Sequence, residues 1–217
     1  MAYIDTKHLL YQQVSSVGRA LGHETRLELI EMIAQSPQTV EKLANILSTD
    51  IKSVSAHLKV LQRAGLVAST REGRFQRYRI TNSKVVALAV LLRETAERTV
   101  QSLSDMRASK RNSLDRLDLA EAVKLAKQGK LTLIDVRDTE EFRAGHIPYA
   151  HNIPVTDLER KVPLLPHDVP IAAYCRGPYC FLALQAKSRL AALGRSLFII
   201  SEGVMEWESQ GYALEKE

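Results

Sequence analysis

Apolar and polar positions change their period twice along the chain. Val14, Val17 and Leu21, then Leu27, Leu29, Ile30 and Ile33, recur at helical spacing. A short helix is predicted over residues 39–47, with Thr39 as N-cap and Lys42 where a capping box would carry an acid. In "TDIKSVSAHLKVLQRAGLV" the residues Ile51, Val54, Leu58 and Leu61 fall on one face, and Gly65 stands where a helix ends in a left-handed glycine. The period then drops to two in "VASTREGRFQRYRIT". Val67 opens one strand, Glu72-Gly73 makes the turn, and Phe75, Tyr78 and Ile80 lie in the return strand. A long helix is predicted over 83–107, capped by Asn82 or Ser83, with apolar residues at 85, 88, 89, 92, 96, 100 and 103. Such a stripe is too long for a small domain to cover, so a partner helix is expected.

The polar stretch "SDMRASKRNSLDR" marks a domain boundary at about residue 112. Beyond it the second change occurs. Continuous apolar runs, "LTLIDV" (131–136), "PIAAYC" (170–175) and "LFII" (197–200), alternate with "LDLAEAVKLAKQG", "TEEFRAG" and "FLALQAKSRLAALG". Buried strands alternating with helices predict a parallel α/β sheet. The expected fold class is therefore two domains: a mainly-α winged helix-turn-helix over 1–112, then an α/β domain with a parallel sheet over 113–217. No internal repeat or low-complexity tract interrupts this order.

Composition is that of an ordinary globular protein, 45% hydrophobic and 25% charged, with two cysteines. Two thiols are too few for a disulfide framework. No apolar run approaches the roughly 20 residues that span a bilayer, and the opening residues lack a basic segment followed by an apolar one. A cytoplasmic protein with no membrane partner is expected. The net charge of +5 is unevenly spread: 16 Lys and Arg against 10 Asp and Glu in residues 1–110, but 14 against 15 thereafter. The basic excess lies with the predicted helix-turn-helix, which points to a nucleic acid there.

The second helix of that motif must bury one face and offer the other to a major groove. Its outward side carries Lys52, Ser53, Ser55, Ala56, His57 and Lys59, short or cationic groups suited to base edges and phosphates. The hairpin carries Arg71, Arg74, Arg77 and Arg79, and alternation puts Arg77 and Arg79 opposite Tyr78 and Ile80. A basic wing fits backbone or minor-groove contact, although charges also protect an ordinary sheet edge. "LGHETRLELIEMI", "SVSAHLKVLQRAGLV" and "REGRFQRYRIT" together resemble the ArsR/SmtB family of bacterial repressors over residues 10–100. The resemblance implies a homodimer through residues 1–21 and 83–107, with two recognition helices on a palindromic double-stranded operator. Metal-sensing members carry cysteine pairs or His/Asp/Glu clusters. Here no cysteine precedes Cys175, and "TDIKSVSAH" offers only Asp50 and His57, so no metal site is assigned.

"YCRGPYCFLA" holds both cysteines, Cys175 and Cys180, around Arg176, Gly177, Pro178 and Tyr179. Cys175 ends an apolar strand, and a helix is predicted to start near Tyr179. A strand–loop–helix at the carboxyl edge of a parallel sheet is where such folds bind ligands. Loop amides and the helix N-terminus favour a thiolate, so the Cys175 thiol is expected to ionise readily. "LIDVRDTEEFRAGHIPYAHNIP", "YCRGPYC" and "ISEGVMEWESQGY" resemble the rhodanese family over residues 115–214. By that resemblance Cys175 takes up a sulfane sulfur as a persulfide and passes it on. Asp135 and Arg137 support the loop, and the amides of residues 176–180 bind the persulfide. No cofactor is implied beyond that covalent sulfur.

Two features depart from the usual rhodanese loop. Arg176 adds a positive charge that could draw in thiosulfate or stabilise a thiolate. Cys180 puts a second thiol where a polar residue is common, and a second thiol can resolve a persulfide into a disulfide. Phosphatases of this fold need an arginine where Phe181 stands, which removes the oxyanion clamp. His146, His151 and His167 lack metal spacing to the cysteines; His146 reads as a structural loop residue and Trp207 as core. Three readings remain: a repressor that senses sulfane sulfur or carries it from thiosulfate or a persulfide; a sulfurtransferase, moving sulfur to thiol or cyanide, whose DNA-binding domain regulates its own operon; and capture of an oxyanion or arsenic species by the two thiols.

Overall fold

The computed structural model describes residues 2–103, 105 and 117–217, with side chains from Thr6 onward. It divides into two compact units, 1–89 and 90–217. The boundary expected at residue 112 lies outside the described residues, as do residues 104, 106 and 107 of the expected long helix.

In the first unit, helices α1 (Ala2–Leu21) and α2 (Glu24–Gln35) precede a two-residue strand β1 (Gln38–Thr39), helices α3 (Val40–Ile46) and α4 (Ile51–Arg63), and strands β2 (Val67–Glu72) and β3 (Phe75–Ile80). The helix starts follow capping chemistry. The Thr39 hydroxyl accepts from the Lys42 amide, and the Asp50 carboxylate accepts from the Ser53 amide at 2.8 Å. Gly65 leaves α4 at φ +73°, a left-handed exit that suits glycine. The antiparallel sheet has order β1-β3-β2, with Val67 opposite Ile80 and Glu72 opposite Phe75. The wing turn is therefore Gly73-Arg74, one residue later than predicted, with Gly73 at φ +61°.

Leu29, Ile30, Ile33, Leu43, Val54, Leu58, Leu61, Val67 and Tyr78 form the core of this unit. One residue expected inside is not: Ile51 is 52% exposed, in the first turn of α4. At the wing tip Phe75 is 40% exposed beneath the Arg74 guanidinium.

Helix α5 spans Ser83–Thr99, with Asn82 accepting from the Lys84 amide. It is shorter than expected. The Thr95 and Thr99 hydroxyls donate to the carbonyls of Leu91 and Thr95, a bonding that competes with the helical ladder and loosens a helix end. A further helical turn follows at residues 101–103.

The second unit is the expected parallel sheet, with strands β4 (Thr132–Asp135), β5 (His151–Asn152), β6 (Ile171–Tyr174) and β7 (Leu197–Ile199) in the order β5-β4-β6-β7. Helices α6 (Leu119–Lys127), α7 (Thr139–Ala144), α8 (Leu158–Lys161), α9 (Leu182–Ala192) and α10 (Val204–Ser209) alternate with them. Alternate strand residues feed two cores. Ile134, Ile171, Ala173 and Cys175 point to one face, and Leu133, Ala172 and Tyr174 to the other. Burial on both faces explains why these strands read as unbroken apolar runs. Trp207 lies in the second core, its indole NH donating to the Ala213 carbonyl at 2.9 Å. His146 is buried, stacked on Phe142 and bonded to the Phe142 carbonyl oxygen.

Candidate functional site

The first unit carries the basic surface. On α4, Lys52, Ala56 and Lys59 are exposed, while Ser53, Ser55 and His57 are half-buried. The His57 ring lies 4.5 Å from that of His23. Burial, then the charges of His23 and Arg26, hold its imidazole below the usual histidine range. His57 thus packs against His23 at the start of α2, and its surroundings disfavour a charge on it. Arg71, Arg74 and Arg79 are exposed on the wing. Arg77 is engaged, donating to Glu72 at 2.9 Å and to the Pro37 carbonyl at 2.9 Å, so it joins the wing to the β1 edge. Alternation put Arg77 beside Arg79, but the tie to Pro37 depends on the β1–β3 pairing and has no local sequence signal.

The second unit carries the thiols. Strand β6 ends at Tyr174, and helix α9 begins at Leu182, later than expected, so residues 175–181 form the loop. Cys175 is 2% exposed, while Cys180 is partly accessible; both are free thiols. The Cys175 thiol donates to the Gly177 carbonyl oxygen at 3.8 Å, and each thiol shifts the ionisation of the other. Backbone amides of Gly177 and Ala183 favour a thiolate at Cys175, and those of Arg176 and Leu182 favour one at Cys180. The ionisation is the reverse of the expectation. The bond to Cys180, then burial, pushes the Cys175 thiol well up. The bond from Cys175, the two amides and the Arg176 charge bring Cys180 down to about 6, against the opposing effect of burial. Such a pair shares one proton: the first leaves easily and the second is held.

Arg176 is committed within the fold. Its Nε donates to Glu141 at 2.8 Å, and Glu141 is buried. Burial raises the Glu141 carboxyl, and the Arg176 contact opposes that rise. Arg176 thus acts on Cys180 as a fixed charge from a paired position. Asp135 and Arg137 form a fully buried pair below the loop: Arg137 Nη2 meets Asp135 Oδ2 at 2.6 Å and the Gly145 carbonyl at 2.9 Å. Asp135 also stands in register with Tyr174, the residue before Cys175. This pair touches the strand that carries the loop, with the Arg137 guanidinium 5.8 Å from the centre of the Tyr174 ring.

Three contributors were not singled out as site residues in the sequence. Glu141 lies in "TEEFRAG" and could have been suspected as a partner for Arg176. Gly203 and Glu206 lie in "ISEGVMEWESQGY". A Cβ at Gly203 would collide with the Cys175 carbonyl oxygen and come within 2.8 Å of the Arg176 carbonyl group, so only glycine lets this turn lie against the loop. The Gly203 amide donates to Glu206 Oε2 at 2.6 Å. Among the described residues no cluster of three or more His, Cys, Asp or Glu could hold a metal ion, and no helix is long and apolar enough to cross a membrane.

Fold and site together define a helix-turn-helix regulator carrying a rhodanese-like domain. Residues 21–70 match the Helix-turn-helix domain family and residues 118–210 match the Rhodanese-like domain family. The chain is 35% identical over 216 residues to the HTH-type transcriptional regulator Rv0324 of Mycobacterium tuberculosis, covering 98% of this chain and 94% of that one. It belongs to that family of HTH-type transcriptional regulators, as the sequence resemblance implied. Among solved structures, one similar to this chain is the homodimeric winged helix-turn-helix DNA-binding domain (fragment 1–100) of Mb0332 from Mycobacterium bovis, a possible ArsR-family transcriptional regulator. It is 35% identical, with a TM-score of 0.42, covering 44% of this chain and 89% of that one. Another is a rhodanese-related protein from Thermoplasma volcanium, 27% identical, with a TM-score of 0.40, covering 46% of this chain and 97% of that one.

Proposed function

We propose that this transcriptional regulator takes up sulfane sulfur on its thiol pair and that the sulfur state of the pair sets its affinity for operator DNA. The observation that carries the reading is two free thiols in one strand-to-helix loop, Cys175 buried and Cys180 partly accessible, each shifting the ionisation of the other. In the first step a Cys175 thiolate attacks the outer sulfur of a persulfide or polysulfide. One S–S bond breaks, one forms, and the shortened donor leaves as a thiolate. In the second, the Cys180 thiolate attacks the sulfur bonded to the Cys175 Cβ. A Cys175–Cys180 disulfide forms, hydrosulfide leaves, and no other oxidant is needed. Cys180 takes the Cys175 proton as the donor approaches and passes it to the departing donor thiolate, which leaves Cys180 as the thiolate that the second step needs.

On the DNA side, Lys52 and Lys59 of α4 with Arg71, Arg74 and Arg79 of the wing supply the phosphate contacts, and the protein acts in the cytoplasm. A homodimer is part of the reading: Leu9, Leu10, Tyr11 and Val14 on α1 and Leu88, Leu91 and Leu92 on α5 are exposed apolar residues on the two helices assigned to it. The test is operator binding. A duplex selected from random sequence by the wild-type protein is titrated with wild type and Cys175→Ser, each with and without sodium polysulfide. Wild type changes affinity and Cys175→Ser does not. Equal affinity in all four arms refutes the sensor. Sustained turnover from thiosulfate to cyanide, with no change in DNA affinity, would instead support the sulfurtransferase reading.

A further inference from the structure

We propose that helix α5 reads the sulfur state of the loop directly, through Arg93 and Glu97, which hold the Cys175–Cys180 loop at two points one helical turn apart. This inference rests on the sensor reading and adds the route by which the thiol pair is read. Both anchors and both of their targets lie in the unit 90–217.

The first anchor is Arg93. Its Nη2 meets Glu206 Oε1 at 2.6 Å. The other oxygen of that carboxylate accepts the Gly203 amide, in the turn that lies against the Cys175 and Arg176 carbonyls. Gly177 sits directly over the pair: the position a Cβ would take there is 3.5 Å from both Glu206 oxygens and 3.9 Å from Arg93 Nη1. The second anchor is Glu97, which accepts from the Tyr179 hydroxyl at 2.9 Å. Tyr179 is bonded covalently to Cys180. Glu97 is 4% exposed and Glu206 5%, and Arg93 also lies 3.6 Å from Glu97. A guanidinium between two buried carboxylates resists displacement, since separating them would leave charge without compensation in a site screened from water.

The loop has little slack to absorb added sulfur. Cys175 is 2% exposed and backed by the core of β6 and α9. A persulfide lengthens its side chain by one S–S bond of about 2 Å, and a disulfide fixes the separation of the two Cβ atoms near 3.8 Å. Either change moves Cys180 or the backbone of residues 177–179, and those are the residues that Arg93, Glu206 and Glu97 grip. Helix α5 is continuous from Ser83 to Thr99. A shift at Glu97 therefore displaces the helix that begins directly after the wing strand. Arg93, Glu97, Glu206 and Tyr179 are positioning residues and take no part in the sulfur chemistry.

The experiment uses full-length wild type, Tyr179→Phe, Glu97→Gln and Glu97→Ala. Operator affinity is measured by fluorescence anisotropy before and after sodium polysulfide, and the state of the thiol pair by intact mass, a persulfide as the gain of a sulfur atom and the disulfide as the loss of two hydrogens. Wild type shifts its Kd by at least about fivefold, the lower end of ordinary allosteric coupling. Tyr179→Phe and Glu97→Ala reach the same persulfide or disulfide state, yet their Kd shifts by less than about twofold, within that scale a loss of coupling. Glu97→Gln, whose amide oxygen still accepts from Tyr179, retains the shift. Full wild-type coupling in sulfur-loaded Tyr179→Phe overturns the relay and leaves the sensor standing. Absence of any shift in loaded wild type sinks the sensor itself. A Tyr179→Phe protein that forms neither persulfide nor disulfide assigns Tyr179 to the chemistry and also overturns the relay.

Discussion

Replacing Cys175 with alanine should raise the ionisation midpoint of Cys180. In the wild-type site Cys180 is brought down to about 6, and the largest cause is the hydrogen bond from Cys175. At pH 7 a thiol of that kind is about 90% ionised, against about 3% for an ordinary thiol near 8.5, a gain of roughly 30-fold in thiolate. Nucleophilicity falls with basicity, with a Brønsted slope of about 0.4–0.5, and over this difference it removes a factor of about 10–18. The rate of attack on an aromatic disulfide such as DTNB at pH 7 should therefore exceed that of an ordinary thiol by only about two- to threefold. At pH 6 the thiolate advantage is about 160-fold and the net rate advantage about tenfold. The pH profile, more than the absolute rate, carries the information. Stopped-flow reaction with DTNB from pH 5 to 9 should give a wild-type midpoint near 6. Cys175→Ala should move it toward the ordinary range, so its reactivity falls at pH 6 and is regained as pH rises. A wild-type midpoint at 8 to 9, or an unmoved midpoint in Cys175→Ala, refutes the shared-proton pair.

Three other outcomes follow from the geometry. Asp135→Ala leaves the fully buried Arg137 without its carboxylate and should cost about 3–5 kcal/mol of stability, read by urea unfolding; a loss below about 1 kcal/mol, the scale of a surface ion pair, would deny the pair its role. Gly203→Ala drives a Cβ into the Cys175 carbonyl and should cost about 1–3 kcal/mol, with altered thiol reactivity in the DTNB profile; unchanged stability and profile would contradict the close approach. Arg79→Ala should lower the dependence of operator binding on log salt by about one unit, whereas Arg77→Ala, which breaks ties to Glu72 and Pro37, should lower thermal stability more than it lowers that slope. Equal slopes for wild type and Arg79→Ala would remove Arg79 from the phosphate contacts.

Both units were legible because their signals are periodic. The strands of the α/β unit read as unbroken apolar runs since both sheet faces are covered, and Thr39 and Asp50 announced their helices by local capping. The thiol loop was legible for a related reason: a strand, a Gly-Pro loop and a helix are consecutive in sequence. Ile51 was misassigned because periodicity gives a residue's direction and says nothing of whether another element covers it. The ionisation order of the thiols was hidden for a deeper reason. It depends on which cysteine is buried, on a Glu141 carboxylate 35 positions from Arg176, and on amides aimed by the late start of α9. Arg93 and Glu97 had no signal at all, since their partners are 113 and 82 residues away and an i, i+4 Arg–Glu pair is ordinary on any helix.

On the proposed reading, the burial of Cys175 would give the sulfur state of the pair a lifetime. A small anionic donor needs only a brief opening of the loop, but a reductant that must lay its own thiol in line with the new S–S bond needs a wider one. Protein segments open locally with free energies well below that of global unfolding, so removal waits on a motion of the loop. Loading would then follow the donor concentration of the moment, and erasure would follow the opening rate of the fold. A sensor built this way would keep a record of recent exposure after the donor had gone, with a decay time set by how tightly residues 175–181 are held.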